Sequence, residues 1–353
     1  MRFGLRLVQH VASVRELVRL AELADAVGFD AVWFPHDPFM KHAWVMAAAV
    51  AERTSRVQVG PVQTTPYLNE PMEAATFLAT LDELAGGRAV LGYGLHTDEM
   101  VGWLGHDASD RVERIRESVS TVRRLLRGED LGDEWYLRFD PVRPDPPIYV
   151  TPFGRDLLEL SGAIGDGSLP LVMPPEAAPG VVETIRAGAR RAGRDPAEVD
   201  IAACVWLSVA AEGTAAAASL RPIVAYFAPY FLDEQLAPIG LRRADFEPVR
   251  RAAAAGDYDA AADAVTDEML RLAIVGTPAE AIAAIERLAA AGVTQVCIGG
   301  PLGPDPAEAV RLIGERVIPA FRCARRAAAR RRSRRCRGTA RRGRRRRRST
   351  TSA

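Results

Sequence analysis

The stretch RFGLRLVQHVASVRELVRLAELADAVGFDAVWF, from Arg2 to Phe34, is one round of a repeating unit. Arg2–Val8 alternates apolar and polar residues as a short strand does. Ser13-Val14-Arg15-Glu16 is a capping box, in which hydroxyl and carboxylate each cover a free amide at a helix start. Leu17, Leu20, Ala21, Ala24 and Val27 supply a helical apolar stripe, and Gly28 suits a left-handed stop. A second strand, Asp30–Phe34, follows two residues later. The end of the first strand separates two architectures. An open doubly wound sheet wants a Gly-rich fingerprint there, and Val8-Gln9-His10-Val11 holds no glycine. The expected fold is therefore α/β, a (β/α)8 TIM barrel.

The unit recurs outward from this stretch. Helix 43–53, strand Arg56–Gly60, helix 71–85 and strand Arg88–Tyr93 come next. Strands alternating with helices of this length pair in parallel through right-handed crossovers. Asp107–Arg127 reads as a helix, and Gly128–Pro147 as a Pro- and Asp-rich excursion. Ile148–Val150 is a strand, Arg155–Ile164 a helix, Ser168–Val172 a strand, Pro175–Ala192 a helix and Val199–Val209 a long strand. Residues 213–270 read as a helical insertion, broken by Pro222, Pro229, Pro238 and Pro248 and packed over one barrel end. Thr277-Pro278-Ala279-Glu280 opens a capped helix that Gly292 closes. Thr294–Ile298 is the last strand, and a final helix runs from Asp305 to near Phe321. The barrel domain spans 1–321.

Charge divides the chain in two. Of its 46 basic residues, 16 are arginines in 322–353, a segment without acids, which leaves 30 basic against 45 acidic residues in 1–321. So negative a body lacks the field that phosphate backbones require, and nucleic acid is not its expected partner except through the tail. The tail reads as a low-complexity, disordered basic extension. The longest apolar run, Ala43–Ala51, is far shorter than the roughly 20 residues of a membrane helix. Four scattered cysteines with no CxxC argue against a disulfide framework or zinc site. Met1–His10 alternates like a strand rather than a secretory signal, so a cytoplasmic protein is expected. No HExxH, GxSxG, Walker or GxGxxG pattern occurs, and no metal is expected.

In such barrels the chemistry sits where strands end. Those positions hold Arg6, Gln9 and His10; Pro35-His36-Asp37; Gly60 to Thr65; Gly92 to Asp98; Thr151 to Arg155; and Gly299-Gly300-Pro301. Gly92-Tyr93-Gly94 would let a flat ligand come close, since glycine has no Cβ, or would simply serve a turn. Gly154-Arg155 at a helix start offers free amides and a fixed cation, an anion site, or a solvated arginine. His36 beside Asp37 is placed as a hydrogen-bond donor or general acid.

Several collinear segments resemble a known family: Gly86 to Gly94, Ile148 through Gly167, Gly276-Thr277-Pro278 through Gln295, Gly299–Pro304, and Ser55–Gly60 with Pro66–Pro71. From Met1 to about Phe321 the chain resembles the luciferase-like flavin- and deazaflavin-dependent barrel oxidoreductases. Within that group it resembles the coenzyme F420-dependent methylenetetrahydromethanopterin reductases in particular. The resemblance implies a homodimeric barrel that binds coenzyme F420 at the C-terminal face and exchanges hydride at its C5. It places the deazaflavin against His36 and Asp37, and on a bulge near Val62, Gln63 and Thr64 that usually carries a non-proline cis peptide. It also places Gly94 to Thr97 beside the cofactor, and the anionic tail by Phe153, Gly154 and Arg155.

The chain departs from the pterin reductases at three points. Arg6 stands where they have glutamate, His36-Asp37 where they have Asp-His, and Thr97 where members with an acid after the fourth strand carry it. Arg6 would favour an anionic or carbonyl-bearing acceptor. The expected activity is hydride transfer between coenzyme F420 and an activated C=C, C=N or C=O of a small or peptide-like metabolite, such as a dehydroamino acid. Arg6 would polarise the acceptor, and His36 or His96 would supply the proton. The alternatives are a methylenetetrahydromethanopterin or methylenetetrahydrofolate reductase (the latter using NADH), an FMN-dependent monooxygenase, and a non-enzymatic binding barrel whose working part is the Arg tail.

Overall fold

The computed structural model describes residues 1–8, 12–95, 97–132, 134–231 and 233–322. The expectation of tail disorder, apart from Arg322, lies outside the described residues. The strands are β1 (Arg2–Arg6), β2 (Ala31–Phe34), β3 (Gln58–Pro61), β4 (Leu91–Gly94), β5 (Ile148–Thr151), β6 (Gly167–Ser168), β7 (Asp200–Val209), β8 (Ile274–Gly276) and β9 (Gln295–Leu302). Between them run α1 (Val14–Val27), α2 (Ala43–Arg53), α3 (Pro71–Leu84), α4 (Asp98–Trp103), α5 (Arg111–Leu126), α6 (Arg155–Ile164) and α7 (Ala178–Arg191). After β7 come α8 (Gly213–Phe227), α9 (Asp233–Leu236), α10 (Glu247–Ala254) and α11 (Tyr258–Asp263), then α12 (Pro278–Ala291) and α13 (Pro306–Leu312).

All pairings are parallel, in the order β3-β2-β1-β9-β7-β6-β5-β4. Isolated bridges Val59↔Ala89 and Thr64↔Tyr93 join the two ends of that row, so eight strands close into the expected barrel. Both capping boxes form: Ser13 with Glu16, and Thr277 with Glu280. Trp33, Val62, Val90, Tyr149, Cys204 and Cys297 fill the barrel interior, and a larger apolar layer lies between strands and helices.

Three local expectations are corrected. The sixth strand stops at Ser168 instead of reaching Val172, because Pro170 brings no N–H to a ladder. The helix expected from Asp107 begins at Arg111, and a separate short helix, α4, precedes it. The short strand β8 was not anticipated; it pairs with β7 off the barrel row. The insertion has its own core, in which Leu220, Val224, Phe231, Phe246 and Val249 gather with Trp206 of β7. Phe231 is buried there and Phe227 packs on Trp206, while Tyr226 and Tyr230 are exposed.

At the N-terminal end of the barrel, Arg2 donates to the Tyr149 hydroxyl at 2.6 Å and pairs with Asp200, and Tyr149 donates to Asp200 at 2.7 Å. Burial, reinforced by the Asp200 charge, pushes the Tyr149 phenol far above its ordinary range. No helix among the described residues is long and apolar enough to cross a membrane.

Candidate active site

The loop after β2 turns inward at His36, which is 4% exposed. Its backbone N–H donates to the Gln63 carbonyl at 3.1 Å, and its Nδ1 lies 2.9 Å from the Thr64 hydroxyl oxygen. That hydroxyl donates to Asn69 Oδ1 at 2.8 Å, and the Trp44 indole N–H donates to the same oxygen at 3.2 Å. The His42 ring packs on His36 with centroids 4.5 Å apart. Asp37 is half-buried beside them.

The chain after β3 passes through a cis peptide between Val62 and Gln63, where the resemblance implies one. Gln63 donates from Nε2 to the Leu95 carbonyl at 2.6 Å and so ties this bulge to the loop after β4. Thr64 has no exposed surface, and its backbone bonds both Gly92 and Gly94. Gly94 sits in register with Thr151 of β5. A Cβ there would fall 1.9 Å from the Thr151 hydroxyl, so the approach that glycine permits is that of a neighbouring strand. Thr97 caps α4, its hydroxyl accepting from the Met100 N–H at 3.3 Å. His96 and His10 lie outside the described residues.

The loop after β5 carries Phe153, Gly154 and Arg155 onto α6. Gly154 is the N-cap, with φ +94° and no side chain to cover the first amides. Arg155 is largely exposed and stands 3.6 Å from Glu159. Phe153, Gly154 and Arg155 line a cavity of about 360 Å³ with Leu171, Val172 and Met173.

Arg6 ends β1 between Trp33 of β2 and Gly299 of β9. Among the described residues its guanidinium makes no hydrogen bond or ion pair, and its Nε is buried without a partner. Beneath it, Cys204 and Cys297 face each other across β7 and β9, and burial pushes the Cys297 thiol up. The expected site residues among those described thus fall along one rim: Arg6 at the end of β1, His36 just past the end of neighbouring β2, Val62–Thr64 hydrogen-bonded to the loops on either side, and Gly94 against the strand that leads to Phe153–Arg155. Trp44 and Asn69 were not anticipated. They sit in or before helices, away from the strand ends, and no local pattern marks them.

A half-buried cation without a counter-charge among the described residues and a buried histidine share the C-terminal mouth of a (β/α)8 barrel, and the rim continues to the start of α6, whose N-cap glycine supplies no capping side chain. That architecture agrees with the sequence comparison: the luciferase-like monooxygenase family matches residues 1–295, and the chain belongs to this family. Among its relatives, the 5,10-methylenetetrahydromethanopterin reductase of Methanolobus tindarius is 32% identical over 90% of this chain and 100% of its own length. An F420-dependent glucose-6-phosphate dehydrogenase of Amycolatopsis mediterranei is 28% identical over 87% of this chain and 95% of its own. Of solved structures, the coenzyme F420-dependent tetrahydromethanopterin reductase of Methanopyrus kandleri superposes with a TM-score of 0.83 at 28% identity, covering 91% of this chain and 99% of that one.

Proposed function

We propose that this protein is a coenzyme F420-dependent oxidoreductase acting, in the reducing direction, on a small or peptide-like metabolite. When bound, the coenzyme supplies a hydride, exchanged at its C5 with an activated C=C, C=N or C=O, a dehydroamino acid being one such acceptor. The start of α6 beside the cavity at Phe153 carries this reading: the Arg155 side chain and the Arg155 and Asp156 amides, which Gly154 leaves without a side-chain cap, suit the coenzyme's anionic tail, while the Asp156 carboxylate covers the Leu157 N–H at 2.9 Å. Full-length similarity to F420-dependent relatives supports it.

The chain's own residues then divide the work. Val62, Gln63 and Thr64 form the shelf under the ring, and Asp37, Gly94 and Thr97 flank it. Arg6 draws electron density from the acceptor or holds its anionic group. His36, or His96 by its place in the sequence, exchanges a proton with the acceptor. A second reading, a methylenetetrahydromethanopterin reductase, is favoured by 31% and 32% identity to two such enzymes over their whole lengths.

Fluorescence titration with coenzyme F420, FMN and NADH tests the cofactor. The variants G154A and G154D test the tail site. Both strain the positive φ and crowd Asp156 Oδ1, but only Asp adds a second carboxylate at the helix start, against the cofactor's anions. G154D is expected to bind at least tenfold more weakly than G154A, about 1.4 kcal/mol. Equal affinities refute the tail site, and tight FMN binding without F420 binding refutes the reaction. Turnover of reduced coenzyme with a dehydroamino acid, against methylenetetrahydromethanopterin, separates the two acceptors.

A further inference from the structure

The buried polar chain behind His36 has only one consistent assignment of protons. The Trp44 indole is a donor with no acceptor capacity, so the Asn69 atom 3.2 Å from it is the amide oxygen and not the nitrogen. That oxygen cannot donate. The Thr64 hydroxyl, 2.8 Å away, therefore spends its one proton on Asn69. With that proton committed, the Thr64 oxygen is an acceptor toward His36 Nδ1 at 2.9 Å, and Nδ1 must carry a hydrogen. All four residues are buried, so water cannot relax the constraint by offering another partner. Asn69 is itself fixed: its N–H donates to the Thr65 carbonyl at 2.9 Å, and its carbonyl accepts from the Tyr93 hydroxyl at 2.9 Å.

We infer that Asn69, oriented by Trp44, acts through Thr64 as a positioning residue that holds neutral His36 in its Nδ1–H tautomer, leaving Nε2 as the nitrogen that takes up and releases the proton in turnover. The second half rests on the proposed reaction, whereas the first is a property of the protein alone. Thr64 thereby bears on the site through the imidazole. Its hydroxyl lies between the Asn69 amide oxygen, which the donor-only Trp44 fixes, and a ring that needs an orienting partner, which is how an imidazole's reactive nitrogen is usually selected.

The test uses the full chain with 15N-labelled histidine, observed by two-dimensional NMR above the pH at which His36 has lost its charge. The wild type is expected to show a protonated Nδ1 and a bare Nε2. T64V removes the acceptor and should shift the population to the Nε2–H form. T64S keeps the hydroxyl and should keep the Nδ1–H form. N69L frees the Thr64 proton to turn toward His36 and should also invert the tautomer. In turnover assays, T64V and N69L should both lower kcat, N69L with little change in KM or coenzyme affinity, and T64S should recover what T64V loses. Nε2–H in the wild type overturns the inference without any variant having to fold, and so does an unaltered tautomer in both T64V and N69L. A protein that binds no coenzyme F420 but shows the Nδ1–H form would refute the reaction and leave the relay standing.

Discussion

Replacing Gly94 by alanine separates two uses of the same glycine. At this position a Cβ would lie 1.9 Å from the Thr151 hydroxyl oxygen and 2.2 Å from the Thr151 carbonyl oxygen, where an ordinary contact needs at least 3.4 Å. The shortfall exceeds 1 Å on both atoms, and one of them is backbone. Relief therefore requires β4 and β5 to part at the Gly94↔Thr151 pair. Overpacking costs about 1–3 kcal/mol, and a clash with a strand carbonyl belongs at the upper end, about 3 kcal/mol. Truncating the partner distinguishes the contributions. T151A removes the hydroxyl, a buried oxygen with no hydrogen-bond partner among the described residues, but leaves the carbonyl in place. G94A/T151A should therefore keep most of the loss. Urea unfolding followed by circular dichroism reads the effect as a lower midpoint at unchanged slope. If G94A is as stable as the wild type and merely binds coenzyme more weakly, the glycine serves a ligand and the strand-packing account is wrong. Complete rescue by T151A would place the whole clash on the hydroxyl.

Two other perturbations follow from buried polar groups. Asp82, 1% exposed, accepts two hydrogen bonds from Arg143 at 2.6 and 2.8 Å and one from the Ala89 N–H at 2.8 Å. R143M leaves that carboxylate buried with one partner; since Arg143 is itself partly exposed, the cost should be about 3 kcal/mol, the low end for breaking a buried pair, and D82N should recover part of it in the same unfolding assay. Burial, and then the hydrogen bond to Asp110 at 3.0 Å, pushes the Tyr67 phenol from 10.0 up to about 12. A raised phenol pKa stabilises the fold fully below pH 10 and loses that contribution as pH rises toward 12, so phenolate absorbance should show Tyr67 titrating late and stability falling in that window; Y67F should abolish this part of the fall.

The barrel could be read because its signals are local and repeated. Ser13 with Glu16, and Thr277 with Glu280, announce helix starts within four residues, and Gly28 and Gly292 announce stops at φ near +100°. The strand ends were legible for the same reason, and they led to Arg6, His36, Gln63 and Arg155. What escaped is short or remote. Ile274-Val275-Gly276 is too brief for a period of two to show, and it follows a long helical run. Pro170 ends a strand that hydropathy alone would continue. The chain from Trp44 to His36 joins α2, the turn before α3 and the loop after β2, and sequence spacing says nothing of such a meeting. The glycine pair flanking Tyr93 was legible as a close approach, but the partner in that approach was not.

Arg2 and Arg6 show how one strand divides stability from chemistry. They lie four residues apart, so with Gly4 they share a face, and Gly4 looks into the barrel at Trp33 and Gln295. Arg2 enters at the N-terminal end and finds Asp200, Tyr149 and Gln58, so its charge is neutralised within the fold. Arg6 emerges at the other end beside Gly299, the Trp33 strand and the Cys204–Cys297 pair, where a hydrogen bond with Cys297 and then the Arg6 charge draw the Cys204 thiol below its ordinary range, but no carboxylate among the described residues pairs with the guanidinium. Bringing a guanidinium even half out of water without a counter-charge costs free energy that the fold does not recover internally. At the N-terminal end the same cost is offset by Asp200. At the C-terminal end no carboxylate among the described residues provides that offset, which is why the proposed reaction sets Arg6 against an acceptor bearing a carboxylate or a polarised carbonyl.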